Sequence, residues 1–195
     1  WASRIIFCIF SEKAFFSKDS TSYDTGGHLT MWVWDNKITV RLQSTNTSYW
    51  VESSDITTNN WYHVVFSWGD GGMKLFVNGQ LEDTHEYAGG LGTNSGGNGN
   101  YEPIVLGANS WDSNNFSATP LCDYFKGYID DVRIYDMSFE AIQASQLYNG
   151  NDPSNGSTGY LVQDTSNFGT PLNLNVQNTN NVNWISGGGL EFVNN

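Results

Sequence analysis

The chain has 195 residues, with aromatics at 15%, charged residues at only 14%, and 20 acids against 8 bases for a net charge of -12. That length holds one sizeable core, and a composition rich in Gly and Asn suits short strands joined by polar turns, which excludes a coiled coil or a disordered chain. The acidic balance repels a phosphate backbone and so excludes nucleic acid as a partner, while it suits divalent cations or simple solubility outside the cell.

The longest apolar run, Ile5–Phe10, is too short to cross a bilayer, so no membrane insertion is expected. With no initiator Met or leader, the chain is expected to be a mature or excised fragment. Arg4–Phe10 reads as a buried strand and Lys13–Ser17 as a short second one, followed by a turn-rich loop to Gly27. His28–Trp34 and Lys37–Gln43 form a hairpin about Asp35-Asn36. The period of two places Leu29, Met31 and Val33 on one face and Thr30, Trp32 and Trp34 on the other. Tyr49–Glu52 is a further strand and Ser53–Asn60 a polar connector.

The densest signal comes next. Trp61–Trp68 alternates, Gly69–Gly72 offers positive-φ positions for a reversal, Met73–Val77 is apolar, and Asn78-Gly79 is the pair that a type I′ turn requires. Gly89–Asn100 is a polar loop, Ile104–Gly107 a strand, Ala108–Asp123 a long loop and Phe125–Tyr135 a long strand. Ser138 is the expected N-cap of a helix over Phe139–Tyr148, which Asn149-Gly150 ends. Cys8 and Cys122 either pair, if their strands are neighbours, or remain buried thiols.

Trp61-Tyr-His63-Val64, the Gly/Asp turn, the apolar strand and Val77-Asn78-Gly79 resemble the laminin-G-like and pentraxin branch of the concanavalin-A-like sandwiches. Pro103-Ile-Val-Leu-Gly107, the following loop, Phe125-Lys-Gly-Tyr-Ile-Asp-Asp-Val-Arg-Ile-Tyr135 and the helix resemble the closing part of such a domain. Residues 159–169 and 187–193 resemble its opening strands, which here arrive last. The resemblance implies an all-β fold: a concanavalin-A-like jelly-roll sandwich of two antiparallel sheets with one short helix, the strand order permuted. A single domain is expected over 1–195, with a main body 1–150 and a tail 151–195. The tail closes this sandwich, closes a neighbouring one, or belongs to a further copy cut in mid-domain. Closure within one sandwich is favoured, because so short a tail holds too little apolar material for a second core.

Catalytic groups are sparse. A retaining glycanase needs two carboxylates about 5 Å apart, and no Glu-x-Asp-x-Glu stretch is present. Glu82 and Asp83 are adjacent, and on a regular strand they point to opposite faces. His63 reads as structural, His28 and His85 as surface residues, and no nucleophile elbow or zinc spacing occurs. Calcium is the cofactor that the pentraxin likeness implies. It takes oxygens from loops, and Asp24, Asn109 and Asp112 are the positions that carry over, with Asx-turn use as the competing reading. A second structural ion would draw on Asp130, Asp164 and Asn167, with Asp130 read as pointing the same way as Val132 and Ile134.

For ligand binding, Trp111 with Asn114 in the long loop, and Tyr49 with Trp50, are aromatics on which a sugar ring can stack, against the reading that they cap the core. Trp32, Trp34, Trp61 and Trp68 are expected to fill or cover the sheets. The leading expectation is a non-catalytic extracellular recognition or adhesion module, secreted or on the cell surface. It binds a glycan or a protein surface, with calcium assistance, at the Asp24/Trp111 loop end. The rival is a self-assembling structural subunit whose terminal strands add to the next copy. A glycan-active enzyme comes third.

Overall fold

The computed structural model describes residues 2–9, 13–19, 26–111, 120–151, 160–162, 174–176, 182–185 and 189–192, with side chains placed for 13–19, 26–111 and 120–151. Eight strands precede the long central loop: β1 Ala2–Ile9, β2 Ala14–Lys18, β3 His28–Trp34, β4 Lys37–Gln43, β5 Ser48–Glu52, β6 Trp61–Gly69, β7 Gly72–Val77 and β8 Gln80–His85. Then come β9 Val105–Leu106, β10 Gly127–Tyr135, the helix α1 Ala141–Tyr148, and four short strands, β11 Tyr160–Val162, β12 Leu174–Val176, β13 Val182–Ile185 and β14 Gly189–Phe192. They form two large sheets, one of seven strands in the order β11-β12-β10-β1-β6-β7-β8 and one of five in the order β5-β4-β3-β2-β9. Pairing is antiparallel except between β10 and β12. The jelly-roll sandwich expected from the sequence is therefore the architecture found. β13 and β14 make a two-stranded sheet of their own.

Local chemistry explains the connections. Asp35 and Asn36 (φ 48° and 59°) and Asn78 and Gly79 (φ 50° and 76°) occupy the left-handed region, as a two-residue hairpin with the strands' own twist requires. Of the four residues Gly69–Gly72, only Gly72 has a positive φ, at 81°. Between the sheets lie Phe15, Leu29, Met31, Val40, Val64, Phe66, Trp68 and their neighbours. A second, smaller cluster of Val65, Phe76, Tyr135, Phe139, Ala144 and Leu147 packs α1 onto the outer face of the seven-stranded sheet. Since β6 is buried on both faces, its near-continuous apolar run is explained.

The helix starts later than expected. Phe139 is fully buried and its N–H donates to Ser67 Oγ at 2.7 Å, so it anchors the approach instead of entering the helix. Glu140 takes the N-cap, and its N–H is accepted by Gln143 Oε1 at 2.7 Å in a capping box. Asn149 and Gly150 (φ 80°) end it, as their types imply.

Two bulges change which way side chains point. In β8, Leu75 pairs with Asp83 and Phe76 with Leu81, which leaves Glu82 as the extra residue. Glu82 and Asp83 therefore reach the same neighbouring segment, accepting the N–H groups of Ser54 (2.8 Å) and Glu52 (3.0 Å) and tying β8 to the end of β5. In β10, Asp131 sits at φ 50° and the register with β1 slips there. Asp130 consequently lies exposed, on the face away from Val132 and Ile134, and its Oδ1 accepts the Asp131 N–H at 2.8 Å. The expectation that Asp130 shares their direction assumed an unbroken period of two.

Candidate functional site

A sandwich has two outer faces. In this one α1 covers part of the seven-stranded sheet, while no described helix packs on the five-stranded one. That second face carries Trp32, Trp34 and Trp50. Register pairs Thr30 with Arg41 and Arg41 with Trp50 across β3, β4 and β5, and in the next row pairs Trp32 with Thr39 and Thr39 with Glu52. Because residues on one strand alternate, Trp32, Trp34, Thr39, Arg41 and Trp50 all point away from the core.

Trp32 and Trp50 meet edge to face, with centroids 5.2 Å apart, and the Arg41 guanidinium lies over both rings at 5.8 and 6.0 Å. Trp34 is 64% exposed and Trp50 43%. With Thr39, Glu52, Lys13, Asn109 and Asp123 they line a cleft of about 540 Å³. Lys13 and Asp123 pair across its rim at 3.0 Å, and Lys37 pairs with Glu52 at 3.6 Å. The Thr39 hydroxyl on the cleft wall is buried and has no hydrogen-bond partner among the described residues.

Beside the rings, on the same outward face, Arg41 is held in place. Asp19 is fully buried, accepts a hydrogen bond from Thr30 Oγ1 at 2.7 Å, pairs with Arg41, and lies 3.2 Å from His28 Nδ1. The Asp19 N–H donates to Ser110 Oγ at 3.1 Å, and the Ser110 N–H donates to Ser17 Oγ at 3.1 Å. This polar network fastens the 108–111 loop beside the cleft. It also fixes the guanidinium without an induced rearrangement, which is the economy of a preorganised site.

The sequence candidates distribute unevenly. Trp50 is in the cleft. Tyr49 is not: one residue away on the same strand, it faces the core, stacked on Tyr87 at 3.7 Å. Trp111 is 47% exposed on the bordering loop. Asn109 lines the cleft, and its Oδ1 accepts the Trp111 N–H at 3.1 Å, which is the Asx-turn use that competed with metal binding. Asp24, Asp112, Asn114, Asp164 and Asn167 lie outside the described residues. Among the described residues no group of three or more His, Cys, Asp or Glu is placed to hold a metal. The pairing of Cys8 with Cys122 involves a side chain outside them as well.

Several readings need correction. Trp34, and Trp61 at 50%, lie exposed on the outer faces of the sheets and not in the core, and Trp61 stacks on Tyr128 at 6.4 Å on the other sheet. His28 is not a surface residue but a fully buried one beside Asp19. His63 packs under the helix against Tyr148, at 5.6 Å. The residues missed are Trp32, Trp34, Thr39, Arg41 and Asp19. The alternation in β3 already put two Trp and a Thr on one face, and the signal lay in asking which of the two faces was covered.

At the other end of the sandwich, Lys18 lines a second cavity of about 540 Å³ with Trp68, Asn100 and Tyr101. Its Nζ donates to the Glu102 carbonyl and to Asn100 Oδ1, and burial lowers its pKa to about 8. No helix among the described residues is long and apolar enough to cross a membrane.

The family model described as concanavalin A-like lectin/glucanases superfamily, of laminin-G type, matches residues 10–145. No curated protein matches the chain by sequence. Among solved structures, the fold is similar to the CBM40 domain of a Ruminococcus gnavus sialidase bound to α2,3-sialyllactose. That likeness has 14% identity, a TM-score of 0.54, and covers 75% of this chain and 81% of that one. It is also similar to the binding domain of botulinum neurotoxin serotype D, at 15% identity and TM-score 0.51, covering 91% of this chain and 46% of that one. A third is the NanB sialidase of Streptococcus pneumoniae, at 17% identity and TM-score 0.54, covering 74% and 23%. The chain thus spans less than half the length of the last two, and at these identities the likeness is one of fold.

Proposed function

The chain belongs to the laminin-G-type family of the concanavalin A-like lectin/glucanases superfamily, and from that premise we propose that it is a non-catalytic, extracellular glycan-binding module. The observation that carries this reading is the outer face of the five-stranded sheet, on which no described helix packs, with its Trp32, Trp34 and Trp50 cleft. Exposed indole rings present flat π faces to the C–H face of a sugar, and the Asn109 amide beside them matches sugar hydroxyls. Large exposed aromatics clustered in a groove are costly to solubility and are ordinarily there to be covered by something. That a domain of similar fold holds sialyllactose supports the class of ligand and leaves its identity to this chain's own cleft.

Affinity electrophoresis through gels containing soluble neutral or acidic polysaccharides tests the proposal. Retardation in at least one polysaccharide, abolished by Trp50→Ala and by Trp34→Ala, is the expected result. Retardation unchanged in both variants would move the site elsewhere, and Trp111→Ala then tests the loop. Calcium assistance rests on Asp24 and Asp112. A rise in melting temperature with millimolar calcium that Asp112→Ala removes would support it, and no rise would remove calcium from the proposal.

A second reading, a self-associating structural subunit, draws on β13 and β14. A two-stranded hairpin alone is marginally stable in water, and a neighbouring copy would complete it. Light scattering over a wide concentration range separates the two, since a constant monomer mass excludes assembly.

A further inference from the structure

We infer that the Trp32/Trp34/Trp50 cleft selects an uncharged sugar unit over a sialylated or uronic one. This rests on the glycan reading above and narrows it to a ligand class.

A carboxylated sugar is recognised by a cation free to meet it, and the cations around this cleft are occupied. Lys13 is paired with Asp123 at 3.0 Å, Lys37 with Glu52 at 3.6 Å, and Arg41 with the buried Asp19. Arg41 sits against the rings and does not itself line the cleft. Among the described residues the lining contains one cation, Lys13, against two carboxylates, Glu52 and Asp123, within a chain of net charge -12. A ligand carboxylate would have to break one of these pairs or sit beside an unneutralised acid, and both cost affinity. A neutral ring meets no such penalty.

The test is an array carrying neutral glycans alongside their sialylated and uronic counterparts, probed with the wild-type chain and Trp50→Ala, each checked for folding by its thermal melt. Neutral members should bind, their acidic counterparts about five- to tenfold less strongly. Trp50→Ala should abolish the signal. Acidic glycans bound more strongly than neutral ones, with the signal still lost in Trp50→Ala, would overturn the charge selection and leave the glycan proposal standing. Absence of glycan binding, or binding indifferent to Trp50, would overturn the glycan proposal and this inference with it.

Discussion

Asp19→Ala is the most informative single perturbation of this protein. The carboxylate is fully buried and accepts from Thr30 Oγ1 at 2.7 Å, lies 3.2 Å from His28 Nδ1, and pairs with Arg41, whose side chain is itself only 12% exposed. Truncation leaves a mostly buried guanidinium and a buried Thr30 hydroxyl facing an empty space. Removing one partner of a buried pair costs about 3–5 kcal/mol, far more than the pair contributes relative to an apolar replacement, because the remaining charge stays desolvated. For a chain of this length each kcal/mol lowers the melting temperature by about 2–4 °C, so the expected drop is about 6–20 °C. Denaturant melts of Asp19→Ala, Arg41→Met and the double variant provide the cycle. The double variant should be more stable than the sum of the singles requires, by about 1–3 kcal/mol, since it buries no orphan charge. A second readout separates structure from function: with Arg41 no longer anchored, polysaccharide retardation should weaken in Asp19→Ala even well below its melting point. A loss under 1 kcal/mol, or strictly additive singles, would refute the claim that Asp19 holds Arg41 in place.

Further outcomes follow from other parts of the fold. Burial lowers the Lys18 pKa from 10.5 to about 8, so between those values the unfolded chain binds more protons and stability should rise with pH. The gain is about 2–3 kcal/mol, and Lys18→Met should flatten it in chemical melts at pH 7.5, 8.5 and 9.5. Burial raises the Tyr87 pKa to about 12, so above pH 10 the unfolded chain loses that proton first and the trend should reverse, a reversal that Tyr87→Phe weakens. Gly79→Ala combines a left-handed φ of 76° with a Cβ only 3.0 Å from Tyr148 Cβ, and should cost more than about 2 kcal/mol in denaturant melts. Trp34→Ala should abolish ligand retention while changing stability by less than about 1 kcal/mol, because the ring is mostly in water already.

The tight turns were legible in the sequence because their cause is local. Asp35-Asn36 and Asn78-Gly79 are residue types that tolerate positive φ, and each is found in that conformation between paired strands. The binary alternation of β3 was legible for the same reason: Leu29, Met31 and Val33 are buried and Trp34 is not. Bulges were not. Which way Glu82 and Asp130 point depends on one extra residue inside a strand pair, and no residue at those positions announces it. The helix start slipped by two residues because Phe139 answers to the buried cluster beneath it and to Ser67, a residue distant in sequence.

What the sequence determined alone was the sandwich, its hairpins and the family motifs around Trp61–Gly79, since strand period and turn chemistry are written within a few neighbouring residues. What the tertiary structure decided was which face is covered. A strand presents two faces, and alternation sorts its residues between them without saying which meets a helix and which meets water. The helix went to the seven-stranded sheet, over Val65, Phe76 and Tyr135. Trp34 and Trp50 on the five-stranded sheet stayed exposed, and Asp19 and His28 came together, buried, farther along the same face. Coverage and such encounters are properties of long-range packing, in which distant segments compete for the same surface, so the site became visible only once the chain had folded.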